Sequence, residues 1–155
     1  MNNSPNTQEW QEIESFLATR RSMSLATASP IGAPACAPVY YCAKTPWELD
    51  FVSKYESLHI QNINFQPKIS AAIYQEGAQW TDICGLQLRG QVSPLESSLE
   101  AEAREHYMMR FPEVKSNGYL MQLFMQTPIF RYTLSWIRYC DYRNSSIRRR
   151  EWQLI

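Results

Sequence analysis

The chain switches repeatedly between two hydrophobic periods, and the switches divide it into elements. Asn6-Thr7-Gln8-Glu9 has the spacing of a capping box, and Trp10, Ile13, Phe16 and Leu17 then recur every three or four residues. This predicts a helix to about Arg20 with one packing face. From Ser22 the period becomes two, with Met23, Leu25 and Thr27 opposite Ser24, Ala26 and Ala28, until Pro30-Ile31-Gly32 breaks it as a hairpin turn does. Pro34 to Cys42 is the returning strand, Leu49 to Ser53 a third and Lys68 to Tyr74 a fourth. Between the last two, Ser57 to Ile63 reads as a short helix stopped before Pro67. Trp80 to Leu95 alternates over a length that predicts one long strand bent at a glycine. Ser97-Ser98-Leu99-Glu100 is a second capping pattern, opening a helix that ends near Pro112, and Glu113 to Gly118 reads as a link. Leu120, Leu123 and Phe124 predict a short helix before Pro128, and Ile129 to Tyr139 a last long strand. Six strands with helices between them predict an α+β fold, a barrel rather than a sandwich. No internal repeat or domain boundary interrupts it.

Composition narrows the chemistry. The 155 residues, 45% hydrophobic and 19% charged, suit one globular domain. Five glycines stand against nine prolines, and none has the Gly-x-Gly-x-x-Gly spacing, which excludes a Rossmann crevice. Gly85 and Gly90 have the outer spacing of a phosphate loop, but Gln91-Val92 follow where Lys and Ser/Thr are needed. Aromatics are abundant, 13% of the chain, enough for a core and a further apolar contact surface. Cys36, Cys42, Cys84 and Cys140 form no Cys-x-x-Cys pair, so buried free thiols are expected rather than a disulfide framework or a metal site. His106 has no partner at ligand spacing and reads as a helix-surface residue. No apolar stretch approaches eighteen residues and the N-terminus has no export-signal pattern, so a cytoplasmic protein without membrane contact is expected.

Four stretches resemble a known family: residues 24–34, Ala37-Pro38-Val39-Tyr40-Tyr41, Leu49-Asp50-Phe51-Val52-Ser53 followed by Ser57-Leu58-His59-Ile60-Gln61-Asn62-Ile63, and Gly85-Leu86-Gln87-Leu88-Arg89-Gly90. With Arg110-Phe111-Pro112-Glu113-Val114 and the closing strand, the order and spacing resemble the FMN-binding split-barrel proteins related to pyridoxamine 5′-phosphate oxidase, and the downstream half a small uncharacterised subgroup. The resemblance implies a six-stranded antiparallel split β-barrel with flanking helices. Residues 1–20 would be an N-terminal helix and 21–155 the FMN-binding domain, one domain overall. It also implies a homodimer with FMN in clefts at the subunit interface. Pro38, Val39, Tyr40 and Tyr41 would then supply the flavin wall and backbone contacts, with one tyrosine facing the barrel and the other outward. Ser53, Ser57 and His59 would face the phosphate, with Lys54 close enough to help, and Ser57 would open the short helix. The alternative for Ser57 and His59 is a plain N-cap and a surface histidine.

Departures from the family pattern sharpen the expectation. The relatives have a base where Ala37 stands and Ser-Arg-Lys where this chain has Ser57-Leu58-His59, so the phosphate cations reduce to one imidazole. Asp141-Tyr142 and Asn144-Ser145-Ser146 replace the relatives' Asp-Asn and Gly-Phe-Gly segment. Nothing matches the substrate-binding arginine and histidine of the true oxidases, so vitamin B6 is not the expected substrate. The net charge is zero, but residues 131–155 hold six arginines against Asp141 and Glu151. Arg148-Arg149-Arg150 reads as a solvated run, or as charge for a partner subunit or the flavin, rather than as a nucleic-acid site. Trp136 and Trp152 fit an interface or flavin edge as well as a core. The resulting expectation is a flavin-dependent oxidoreductase of unknown substrate, against a non-catalytic flavin- or haem-binding dimeric module.

Overall fold

The first helix, α1 (Thr7–Thr19), begins at the predicted capping box: Asn6 accepts from the Glu9 amide at 3.0 Å, and the Glu9 carboxylate accepts from the Asn6 amide at 2.9 Å. Its buried face, Ile13, Phe16 and Leu17, belongs to the same core as the strands that follow. In this computed structural model, which describes residues 4–77, 79–143 and 148–154 with the Arg148 side chain left aside, the strands are β1 (Ser22–Ala28), β2 (Pro34–Thr45), β3 (Glu48–Val52), β4 (Lys68–Gln75), β5 (Cys84–Pro94), β6 (Ile129–Asp141) and β7 (Arg148–Gln153). The helices are α2 (Leu58–Phe65), α3 (Ser97–Arg110), α4 (Glu113–Ser116) and α5 (Gly118–Gln126).

Every strand pairing is antiparallel, in the order β3-β2-β1-β4-β5-β6-β7, and β3 also pairs with β6, closing six strands into a barrel. The inward positions, among them Met23, Leu25, Tyr41, Phe51, Ile73, Leu86 and Tyr132, are almost fully buried. Outside the wall, Cys42 packs with Tyr107, Phe111 and Phe124 of the α3–α5 layer. Beside them Arg131 clamps the buried Asp50 carboxylate with two bonds of 2.8 and 2.9 Å, tying β3 to β6.

Strand β6 changes partner along one edge. Residues 129–133 pair with β3 and 136–141 with β7, while β5 follows the other edge across a register shift at Arg89/Gly90. The two sides draw so close there that a Cβ on Gly90 would overlap the Thr133 carbonyl oxygen and lie 2.9 Å from the Leu134 Cα.

Several expectations are corrected. Arg148-Arg149-Arg150 is part of a seventh strand, and four of the tail's arginines, Arg131, Arg138, Arg143 and Arg150, each pair with an acid of the same chain. Residues Trp80–Asp82 form a 3₁₀ turn because the Asp82 carboxylate accepts from the Gln79 amide at 3.0 Å, so the long strand starts at Cys84. Part of the expected link is helical, as α4. Helix α3 is capped from Glu96 without a side-chain bond, so the second capping pattern does not close. Cys42 and Cys84 are buried, with thiol pKa values pushed up by burial, but Cys36 is exposed. Trp152 is core and Trp136 lies half-buried on the outer wall. The expected departure at Asn144-Ser145-Ser146 lies outside the described residues.

Gly90→Ala is expected to cost at least ~1–3 kcal/mol, because both opposing groups are backbone. Gly118→Ala, with nothing within 4 Å, should be neutral or stabilising in the same urea titration. Arg131→Ala is expected to cost about 3–5 kcal/mol by leaving the Asp50 carboxylate buried and unpaired. Replacing Asp50 as well should recover part of that loss in a double-mutant cycle.

Candidate functional site

The end of β3 brings three of the predicted residues together. The Ser53 amide donates to the Pro128 carbonyl at 3.1 Å, fixing the chain as it leaves the sheet, and the Ser57 amide donates to the Lys54 carbonyl at 3.1 Å, turning it back. Ser57 occupies the N-cap of α2, yet its hydroxyl makes no capping bond. It receives the Ser53 hydroxyl at 3.2 Å instead, and Ser53 Oγ lies 2.8 Å from His59 Nε2. Two hydroxyls and an imidazole thus converge beside the first turn of α2, where helical geometry leaves the amides of Leu58 and His59 without carbonyl partners. Burial pushes the His59 pKa below its ordinary 6.5, so the ring is neutral at pH 7.

A second feature adjoins this cluster. The β2–β3 ladder ends at the Tyr41–Phe51 pair, whereas β2 continues back to Pro34 with only β1 beside it. The Tyr41 amide donates to Arg21 on the β1 side at 3.1 Å. By alternation, the amides of Cys36 and Tyr40 and the carbonyls of Cys36 and Pro38 face the unpaired edge. Pro34 and Pro38 offer no N–H there. Continuing the Tyr41–Phe51 register by two residues sets Ser53 opposite Val39, so the open edge runs away from the hydroxyl cluster. From Cys36 to Tyr40 it spans about 13 Å.

The wall residues divide. Pro38 and Tyr40 are exposed on the outer face and Val39 is half-buried against the core. Tyr41 is 1% exposed, and its hydroxyl, held protonated by burial, donates to the Leu17 carbonyl at 2.8 Å. Tyr41 is thus the barrel-facing tyrosine of the pair, its ring packed in the core and its amide taken by Arg21. Lys54 is exposed, and its side chain touches none of the other three phosphate candidates through a hydrogen bond. Sequence reasoning missed the support behind Tyr40. Tyr107 donates to the Tyr40 carbonyl at 3.1 Å, Phe111 packs at 5.5 Å on the ring, and the Arg21 guanidinium lies near both rings while pairing with Glu113. The Phe111-Pro112-Glu113 segment was the available signal, but nothing in one sequence says which strand it covers. Among the described residues no cluster of three or more His, Cys, Asp or Glu is placed to hold a metal ion, and no helix is long and apolar enough to cross a membrane.

A six-stranded barrel closed through β3 and β6, with an open strand edge beside a hydroxyl-imidazole cluster, defines a split barrel. The sequence profile of pyridoxamine 5′-phosphate oxidase matches residues 10–140, and the chain belongs to that family. A UPF0306 protein of Photorhabdus laumondii is 25% identical over 139 residues, 87% of this chain and 89% of that protein. Among solved structures, a haem-binding protein from Mycobacterium smegmatis superposes with a TM-score of 0.75 at 18% identity, over 97% of this chain; the chain spans 59% of that protein. HutZ, a haem storage protein from Vibrio cholerae, gives 0.67 at 18% identity over 86% of this chain and 91% of its own. An FAD-binding protein from Mesorhizobium loti gives 0.64 at 17% identity over 82% and 88%. These likenesses establish the fold.

In the ligand-free protein, the His59 ring is expected to titrate below pH 6.5 in a histidine NMR titration. Because the unfolded chain then binds the proton more readily, His59 opposes folding as pH falls through 6.5 and has no such effect above it. A midpoint above 6.5 would contradict the half-buried, neutral ring.

Proposed function

We propose that this protein is a homodimeric FMN-binding split barrel acting as a flavin-dependent oxidoreductase on a small molecule other than pyridoxamine phosphate. The observation that carries the reading is the convergence of Ser53, Ser57 and His59 at the start of α2, with the N-cap hydroxyl unused by its own helix. These groups fit a phosphate: two hydroxyl donors, an imidazole and first-turn amides are the donor set that an anion at a helix start takes. The open β2 edge fits the polar rim of a flat ring system, offering both donors and acceptors without a glycine-rich loop. Pro38 and Tyr40 flank that edge with apolar surface, and the Tyr107 bond holds it still.

FMN, once bound, supplies the hydride chemistry itself. The chain's own contribution is to bind, orient and exclude water. Ser53 and Ser57 donate to phosphate oxygens, and His59 takes up a proton beside them. The Tyr40 amide and the Pro38 carbonyl fix the ring's polar edge. A second subunit closes the side that one barrel leaves open, consistent with apolar groups as exposed as Tyr40 at 59% and Leu58 at 61%. The haem-binding and haem-storage neighbours keep a non-catalytic haem or flavin carrier as the second reading.

The purified protein should be yellow and release FMN on denaturation, and NADH or NADPH should bleach it in steady-state turnover. Ser57→Ala and His59→Ala should each weaken FMN binding by ~10–100-fold through lost charge-assisted bonds. Colourless protein that FMN does not reconstitute would remove the reading, and a Soret band would move it to haem. Full FMN affinity in a monomer would overturn the shared cleft.

The sign of the pH effect follows from the neutral ring. A phosphate dianion raises the His59 pKa, so binding takes up a proton and tightens as pH falls from 8 toward 6.5, by up to about tenfold per unit of pKa rise. Below about pH 6 the phosphate protonates as well, and the gain ends. His59→Ala should flatten the profile; a flat profile in the unaltered protein would exclude His59 from the phosphate.

A further inference from the structure

A groove of about 830 Å³ lies on the outer wall formed by β1, β4, β5 and β6, and none of the residues placed at the start of α2 or from Pro38 to Tyr41 lines it. Lys68, Ser70, Arg89, Gln91, Thr133 and Ser135 present their polar groups along it, and no carboxylate contributes to its lining. Two cations on one strand pair with no acid between them are the unusual feature. Lys68 pairs in register with Gln91 and Ser70 with Arg89, so Lys68 and Arg89 are diagonal neighbours on one face, roughly 7–8 Å apart.

Arg89 differs from the arginines around it. Arg131, Arg138, Arg143 and Arg150 each pair with a carboxylate, whereas Arg89 has no ion pair among the described residues. It is nevertheless positioned, because its guanidinium stacks on the Trp136 ring at 4.4 Å while Arg138 approaches the same ring at 5.0 Å. Stacking fixes the plane of the fork without using its N–H donors. The register shift next to it leaves Ser135 out of the β5–β6 pairing at the groove wall. Gly90, which no larger residue can replace without backbone overlap, holds that irregularity in place.

We propose that this groove binds a small phosphorylated molecule, with its phosphoryl group held between Lys68 and Arg89. The donor set suits an acceptor-only group with several oxygens: a fork, an ammonium and neighbouring hydroxyls. Two cations are too few for a nucleic-acid track, whose affinity rests on many phosphate contacts. The proposal does not depend on where FMN binds, since the two sets of residues are separate.

Inorganic pyrophosphate is the probe, followed by calorimetry on the full chain. It should bind the unaltered protein, and Lys68→Gln and Arg89→Gln should each weaken it at least tenfold. Arg89→Lys, which keeps charge but loses the fork, should fall between, and Lys115→Gln, at an exposed lysine of α4 outside both sites, should leave it unchanged. Circular dichroism and thermal melting establish that each variant is folded. Pyrophosphate binding that survives Arg89→Gln but is lost in His59→Ala would overturn the proposal and assign the anion to α2. A protein that binds no pyrophosphate, but is a dimer that Lys68→Gln or Arg89→Gln splits into monomers, would show the groove to be a subunit contact and would also overturn it.

Discussion

Strand β3 stops after five residues, beside a β2 of twelve, and most of what is distinctive about this molecule depends on that mismatch. One half of β2 is sealed by β3, and the other half keeps a bare backbone edge. A bare edge is normally a liability, open to pairing with any other strand. Here Pro34 and Pro38 remove two of its donors, and Tyr107 takes up the Tyr40 carbonyl from the helical layer. The edge is blunted without being covered, which is the condition for holding a flat polar ligand. The same early stop puts Ser53 at the corner, where its hydroxyl meets Ser57 and His59.

The short strand must still be held, because it alone closes the barrel. Arg131 does this with its two-point clamp on Asp50, in the low-dielectric space beneath α3, where an unpaired carboxylate would be costly. The far half of β6, which β3 does not reach, is taken by β7. That exchange explains the charge asymmetry of the chain. Glu151 pairs with Arg138 across the β6–β7 ladder, and Arg150 reaches Glu9 and Glu12 of α1, fastening the first helix over the barrel with the last strand.

How far the sequence foretold this depended on how local each cause was. The α1 start was legible because both halves of its capping box lie within four residues. The six barrel strands were legible from their alternation, since every one has a buried face. Strand β7 was not: Arg148-Arg149-Arg150-Glu151 shows no apolar alternation, and what holds it is the open edge of the preceding β6 and acids on α1 that are distant in sequence. Trp80 to Ile83 misled for the opposite reason, an alternating pattern overridden by one aspartate bonding to a nearby amide. At the site, the family resemblance singled out Ser53, Ser57 and His59, but not that Ser57 turns away from its helix. Tyr40 and Tyr41 were interchangeable until the register was known, and the Leu17 carbonyl then claimed Tyr41.

The distribution of cations carries the argument one step further. Where the relatives' pattern has arginine and lysine at the start of α2, this chain has leucine and a neutral histidine, so any anion held there must be recognised through hydroxyls, amides and an acquired proton. Permanent charge has not vanished from the barrel, however; among the described residues Lys68 and Arg89 carry no ion pair, on a wall where Arg131 and Arg138 are each paired with an acid. An unpaired, stacked guanidinium is already oriented and already lacks a counterion, so an anion gains a contact there with little reorganisation. The two places therefore differ in kind. A ligand at the α2 cluster would also use the β2 edge and would meet a histidine, whereas one on the β4–β5 wall would meet a lysine and an arginine and need nothing from that edge.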